Sequence, residues 1–299
     1  MLSEELLQRA KKIALADINY GHKFRDALFL DNKEATKYLQ AGDMVIQYIP
    51  QLDRDIMRFN ELILKGCMHI GIIAEFGAGN IFKMELWQKG LFCDESIFSL
   101  YEWFDVYLKR YHFVIRSKKV RSDENLRKAI NASILEFSGH EDVDGMPAKA
   151  RVVKTNFFLR THSLEGKKGK ELPKKIYCSE LAYLAYKANN VDVCALHSMD
   201  DLIQMAGGLP SRKDTIRILR QYTFGSKSLF LIFFLLMEYE KLASKLHLNF
   251  LKPSRMFARD VAWPALIVDN PDFEIVAVVP PTEKFIRVYE YLLSKTKPV

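Results

Sequence analysis

Residues 67–74, with the sequence CMHIGIIA, form a strongly apolar stretch that carries one histidine, His69. Branched aliphatic side chains without a proline predict a β-strand here. Because side chains alternate along a strand, we expect Cys67, His69 and Gly71 to lie on one face. A histidine in this setting is either a core residue bonded to the backbone or a general base held on a rigid element.

Three segments around this stretch have the pattern of strands: residues 43–49, 80–87 and 111–116. Pro50 ends the first of them. The sequence between Gly77 and Asn80 is typical of a hairpin turn. Four β segments therefore lie close together in the chain without long helices between all of them. This arrangement indicates an antiparallel or mixed sheet, so the predicted fold class is α+β with a small, mostly antiparallel sheet.

Helical periodicity surrounds these strands. The predicted helices cover 4–18 with Ser3 as N-cap, 22–40, 122–135 with Ser122 as N-cap, 178–188 and 282–295. Later strands are expected at 261–268 and 273–279, and a short one at 152–159 within a long surface loop over 138–175.

The predicted organisation has four parts. Residues 1–41 are expected to form an N-terminal helical appendage and residues 42–197 the core of the fold. Residues 198–250 are expected to be a helical insertion, and residues 251–299 to complete the core with strands and a helix.

Composition limits the possible classes of protein. The chain has 299 residues, of which 49% are hydrophobic and 27% charged, so a packed core is possible and wholesale disorder is excluded. A net charge of +7 is typical of a solvated basic surface, and no nucleic acid is expected as a partner. Four cysteines are too few for a disulfide framework in this length, which favours a reducing compartment.

The sequence shows no secretory signal at its start, so we expect a cytoplasmic protein or one exported without a cleavable signal peptide. The longest uninterrupted apolar run, 229–237, is much shorter than the ~20 residues that span a bilayer. The wider segment 227–248 is apolar and then amphipathic. It is interpreted either as a buried core helix, or as an acyl-chain groove or an interfacial helix that makes transient membrane contact.

Cys178 is the cysteine best placed to act as a nucleophile, because it follows a basic loop and begins a predicted helix. Amides at a helix start favour a thiolate and can also hold an oxyanion during acyl transfer. Cys67 lies inside an apolar strand, and Cys93 and Cys194 follow large apolar neighbours without a helix-start signal. The alternative for Cys178 is an unreactive cysteine buried in a helix.

Glu85 lies among apolar residues in the predicted strand 80–87. A carboxylate there needs a partner, because burying it alone is costly. His69 on the adjacent strand is a candidate, and Glu85 would then fix the tautomer of the ring, as the third member of a catalytic triad does. The alternative is an outward-facing residue at the edge of the sheet.

Four short motifs follow each other along the chain: GDMVIQ at 42–47, MHIGII at 68–73, KMEL at 83–86 and YCSEL at 177–181. In this order they resemble the permuted NlpC-type papain-like cysteine hydrolases, in particular the YiiX-like enzymes, and more distantly the lecithin:retinol acyltransferase-like enzymes. The later segment 251–260 is also similar to the part of that family that follows the cysteine helix.

The resemblance implies a permuted papain-like fold and a cysteine peptidase or amidase that works through a thioester. Cys178 is then the nucleophile, His69 the base and Glu85 the orienting residue, with Tyr177 and Gly71 at the substrate and without a cofactor. Asp43 or a residue of the long loop is the alternative third acid.

Other functions remain open at this point. The apolar run 229–237 favours a lipid-directed thiol acyltransferase or lipase, so the expected partner is a peptide or a lipid. A catalytically inactive papain-like binding module is a further alternative. A metal site that uses Cys67, His69, Cys93 and His112 lacks the usual ligand spacing, and no metal is expected.

Overall fold

A mixed β-sheet organises the part of the chain that the structure describes. The computed structural model describes residues 2–52, 65–76, 80–89, 92–99, 110–138, 142–143, 146–147, 178–197 and 262–295. Seven strands form the sheet in the order β1-β9-β6-β2-β3-β4-β5, and two short strands, β7 and β8, pair separately. The strands are β1 Leu28–Phe29, β2 Met44–Tyr48, β3 Cys67–Phe76, β4 Asn80–Lys89, β5 Phe92–Ser99, β6 Tyr111–Ser117, β7 Asp142–Val143, β8 Met146–Pro147 and β9 Phe273–Val279.

Seven α-helices accompany these strands in the described ranges. They are α1 Glu4–Leu15, α2 Asn32–Tyr38, α3 Lys118–Ser122, α4 Glu124–Ser138, α5 Cys178–Lys187, α6 Pro264–Asp269 and α7 Glu283–Lys295. Every pairing in the large sheet is antiparallel except the parallel contact of β1 with β9. The expected α+β class with a mostly antiparallel sheet is confirmed.

Each face of the sheet is covered by a different set of helices. On one face, here called the α5 face, the buried side chains of Met44, Ile46, Ile70 and Ile72 share a core with α1, α4, α5 and α6. On the opposite face, here called the α2 face, Val45, Ile73, Val114 and Val279 pack with Ala35 of α2 and with Leu39, which directly follows α2. Neighbouring residues of a strand therefore enter different cores, as the pleat requires.

The first 41 residues are part of this framework and not a helical appendage. A 3-10 turn, Gly21–Phe24, then β1 and then α2 replace the predicted helix 22–40, which is wrong. Asp31 explains the new start, because its side chain and that of Glu34 form a capping box at the beginning of α2. Strand β1 joins the sheet beside β9, and α1 buries Ile13 in the core of the α5 face.

Two other predictions are corrected. The predicted strand 261–268 is wrong, because residues 264–269 form α6 with Pro264 at its first position. Proline lacks the N–H that a strand ladder uses, and its fixed φ suits a helix start. Ser122 ends α3 and does not cap the next helix; the side chain of Asp123 accepts the backbone N–H of Leu126 instead.

Several expectations fall outside the described residues. These are the strand 152–159, most of the loop 138–175, the insertion 198–250, the apolar segment 227–248, the segment 251–260 and the hairpin turn before Asn80.

A buried ion pair fixes the start of β2. Arg116 donates two hydrogen bonds of 2.7 Å to the carboxylate of Asp43, and its guanidinium lies 5.0 Å from the centre of the Tyr38 ring. Next to it, the hydroxyl of Tyr186 donates to the carbonyl of Gly42 at 2.6 Å. Gly42 has a φ of +86°, a conformation that favours glycine. These contacts tie β2, β6, α2 and α5 together at one point.

Replacing Asp43 by Asn is expected to lower the free energy of unfolding by about 3 kcal/mol, because the buried Arg116 cation loses its counter-charge. Chemical denaturation measures the change. The matched control is Glu283→Gln, which breaks the exposed pair of Glu283 and Arg287 and should change stability by less than about 0.5 kcal/mol. Equal effects of the two substitutions would contradict a structural role for the buried pair.

Candidate functional site

A bulge in the ladder between β2 and β3 decides where His69 lies. Gln47 pairs with His69, but the next residue, Tyr48, pairs with Cys67, so Met68 is an extra residue on β3. Such a residue reverses the alternation of side chains on either side of it. His69 and Gly71 therefore share the α2 face, whereas Cys67 belongs to the α5 face. The prediction that all three residues share a face is wrong for Cys67.

Glu85 lies on the same face as His69. It pairs with Gly71 across the β3–β4 ladder, and Gly71 is two residues from His69 on β3. A regular antiparallel ladder makes such residues diagonal neighbours with Cα atoms about 7–8 Å apart, within reach of long side chains. The ladder ends at this pair, so His69 itself is paired with β2 but not with β4 in the described ladder.

Cys178 is the first residue of α5, as predicted, and α5 contacts both β3 and β4. The buried residues Leu181, Ala182 and Ala185 of α5 pack in the core of the α5 face. Helix α5 thus meets the two strands that carry His69 and Glu85, but from the side opposite to these two residues. The side chains of Cys178, His69 and Glu85, and the whole of Tyr177, lie outside the described residues.

Asp43 is not available as the third acid. Both of its oxygens accept hydrogen bonds from Arg116, and one of them also accepts the backbone N–H of Gln40. In addition, Asp43 precedes Gln47, the residue opposite His69, by four positions, which is about 13 Å along a strand. The other alternative, an acid from the long loop, lies outside the described residues.

The structure brings two further polar residues into line with His69. Gln47 pairs with His69 on one side and with His112 of β6 on the other, so the three residues form a row across the α2 face. Gln47 is fully buried, and its Oε1 accepts a hydrogen bond from Arg110. Sequence reasoning missed Gln47. The signal for it was a single amide within the otherwise apolar strand that follows Gly42-Asp43.

The two cysteines whose surroundings are described do not resemble nucleophiles. Cys67 is fully buried, and burial raises the pKa of its thiol far above the usual range. Burial also raises the pKa of the Cys194 thiol, to about 12. Burial therefore disfavours the reactive thiolate form of both cysteines. Cys93 and Cys178 have side chains outside the described residues.

The carboxylate of Asp17 is buried near the end of β2. Asp17 accepts backbone N–H groups from Tyr20 at 2.6 Å, from Asn19 at 3.0 Å and from Gln51. Desolvation by burial outweighs these bonds and raises the pKa of Asp17 from 3.8 to about 6. Through these hydrogen bonds, Asp17 links the segment after α1 to Gln51, which follows β2.

The described residues contain no group of three His, Cys, Asp or Glu side chains close enough to hold a metal ion. The bulge also separates Cys67 from His69, because it places them on opposite faces.

No protein-family model matches the chain, and no curated protein matches it. None of the helices in the described ranges combines the length and apolarity needed to cross a bilayer.

The raised pKa of Asp17 predicts a pH dependence of stability. The native state binds more protons than the unfolded chain between pH 3.8 and about 6. The free energy of unfolding should therefore fall as the pH rises through this window, by about 3 kcal/mol in total, with no further contribution from Asp17 above it. Denaturant titrations at each pH measure this change. The Asp17→Asn variant, which cannot titrate at this position, should lose that part of the slope; parallel profiles of the two proteins would contradict it.

Proposed function

We propose that the chain is a cysteine-dependent hydrolase, a peptidase or amidase, with Cys178 as nucleophile, His69 as base and Glu85 as the residue that orients the base. The observation that carries this proposal is the strand register. Glu85 pairs with Gly71 beside His69, and the helix that begins at Cys178 packs against the same two strands. A permuted papain-like fold is part of the proposal.

The proposed reaction is acyl transfer through a thioester. His69 takes the proton of the Cys178 thiol, the sulfur attacks the carbonyl carbon of an amide, and the backbone N–H of Cys178 stabilises the oxyanion. His69 then gives the proton to the leaving amine as the C–N bond breaks. Water, deprotonated by His69, hydrolyses the thioester and returns the free thiol. Gly71, which has no side chain, leaves room for the substrate beside the ring.

The geometry sets one requirement on this mechanism. Because α5 packs on the α5 face and His69 belongs to the α2 face, the sulfur of Cys178 must reach the ring past the edge of β3. The proposal places this approach beyond Gly71, where the described ladder between β3 and β4 ends.

The second candidate is a binding module that retains the fold but not the chemistry. The observation that favours it is the placement of α5 and His69 on opposite faces. If the sheet keeps the sulfur and the ring apart, Cys178 is an ordinary helix-start residue and His69 a polar residue of the α2 face. A lipid-directed acyltransferase or lipase would use the same three residues as the hydrolase. Its distinguishing segment, 227–248, lies outside the described residues.

A thiol-directed activity probe tests the nucleophile. Cys178→Ala should abolish covalent labelling and leave the circular dichroism spectrum and thermal melt unchanged. Cys67→Ala is the matched control, since the buried thiol of Cys67 should not react and its loss should leave labelling intact. Equal labelling of the wild type and the Cys178→Ala variant would exclude Cys178 as the reactive thiol.

The base is tested in the same assay. His69→Gln should slow labelling of Cys178 by about 100-fold or more at pH 7, because glutamine cannot accept the thiol proton. His112→Gln is the control, because it removes a ring from the same row but from β6, which is separated from β3 by β2. Labelling that depends equally on the two rings, or on neither, favours the binding module.

A further inference from the structure

The outer face of α7 carries apolar side chains that the fold leaves exposed. Tyr291 is 62% exposed and Leu292 is 37% exposed. Val288, which is partly exposed, precedes them by three and four residues and therefore lies on the same side of the helix. Single exposed apolar residues are common on protein surfaces, but a contiguous group is typical of an interaction site. These three residues are called the apolar patch below.

The opposite face of α7 holds the helix on the rest of the protein. Ile286 and Tyr289 are buried in the core of the α5 face. Glu290 accepts two hydrogen bonds from Arg9 of α1, at 2.6 and 2.7 Å. Helix α7 is therefore fixed by one side, and the apolar patch is presented on the other.

Two exposed lysines flank the apolar patch. Lys284 lies one turn before it, and Lys295 lies one turn after Tyr291, with its Nζ 5.2 Å from the centre of the Tyr291 ring. Arg287 on the same face forms an ion pair with Glu283, so its charge is largely neutralised. The outer face of α7 thus consists of apolar side chains between two lysine cations.

The chemistry of this face favours a lipid surface over a protein partner. Protein interfaces are depleted in lysine, and a stable one buries about 800 Å² on each side, which is more than one face of a short helix offers. An interfacial helix instead combines apolar side chains with lysines, whose stems lie along the apolar surface while their ammonium groups reach anionic headgroups. Tyrosine is enriched at the same level of a membrane.

We propose that the outer face of α7 is a docking surface for an anionic lipid bilayer. The apolar patch enters the headgroup region, and Lys284 and Lys295, about 16 Å apart along the helix, bind anionic headgroups on either side of it. The buried face of α7 keeps its contacts, so docking requires no change of fold. The net charge of +7 favours the same approach. The proposal is independent of the hydrolase mechanism, because none of these residues belongs to the candidate site.

Sedimentation of the full chain with large vesicles tests the docking. The wild type should bind vesicles of phosphatidylserine and phosphatidylcholine, bind phosphatidylcholine alone much more weakly, and dissociate at about 1 M salt, where charges are strongly screened. Lys284→Gln combined with Lys295→Gln should weaken binding about 30-fold, which is about fivefold per lysine. Tyr291→Ser should weaken it about tenfold, because the ring no longer enters the headgroup region.

The matched control combines Lys119→Gln with Lys128→Gln, which remove the same charge from exposed positions of α3 and α4. These helices follow Ser117, which pairs with Phe273 at the start of β9, whereas α7 follows the end of β9. The control variant should therefore bind the vesicles as the wild type does. All the substituted residues are exposed, so each variant should keep the circular dichroism spectrum and thermal melt of the wild type.

Three results would overturn the proposal. The first is a wild type that does not bind vesicles containing phosphatidylserine. The second is an equal loss of binding in the lysine variant of α7 and in the control, because binding would then follow the total charge and not this face. The third is a wild type that forms concentration-dependent dimers, which Tyr291→Ser abolishes, without binding vesicles, because the face would then join two copies of the chain.

Discussion

The ladder between β2 and β3 decides on which face of the sheet each candidate side chain lies. One extra residue, Met68, separates the pair Tyr48–Cys67 from the pair Gln47–His69. A regular ladder continued from Cys67 would place His69 with it on the α5 face; the bulge moves His69 to the α2 face, beside Glu85. The turn at Lys65 and Gly66, just before β3, is also restricted, because both residues have positive φ. A Cβ on Gly66 would lie 2.5 Å from the carbonyl oxygen of Ile49.

Buried polar groups lie on both faces of the sheet. On the α5 face, Asp17 and the thiol of Cys67 lie in surroundings where desolvation favours their neutral forms. On the α2 face, burial also raises the pKa of Asp43, but Arg116 binds its carboxylate and opposes this shift. Gln47 lies between two histidine positions. Buried polar groups that are bound on both sides stabilise a fold. Gln47 is held at its oxygen by Arg110.

The sequence could predict the elements whose signals are local. Ser3 does cap α1, β9 covers the predicted residues 273–279, and α5 begins at Cys178. It could not predict β1, because two residues have no periodicity and their pairing with β9 joins parts of the chain about 250 residues apart. Pro264 is equally ambiguous in the sequence, since it ends a strand or starts a helix.

At the candidate site too, the sequence could predict local alternation but not the bulge or the pairing of strands. Alternation correctly grouped His69 with Gly71. The partnership of Glu85 with His69 stays a prediction, and the register makes the two residues diagonal neighbours. The bulge at Met68 has no sequence signal, since no glycine marks it, and it reversed the expected face of Cys67. The row formed with Gln47 and His112 depends on the registers of two ladders, which only the folded sheet defines.

The central proposal is that the sulfur of Cys178 meets the ring of His69 beyond Gly71, where the described β3–β4 ladder ends. Disulfide trapping tests it directly, because a disulfide forms only when the two Cα atoms approach within about 7 Å. In a chain whose other cysteines, Cys67, Cys93 and Cys194, are replaced by Ser, a cysteine introduced by His69→Cys should form a disulfide with Cys178 under mild oxidation. Trapping by Ile70→Cys, on the α5 face, together with none by His69→Cys, would contradict the account.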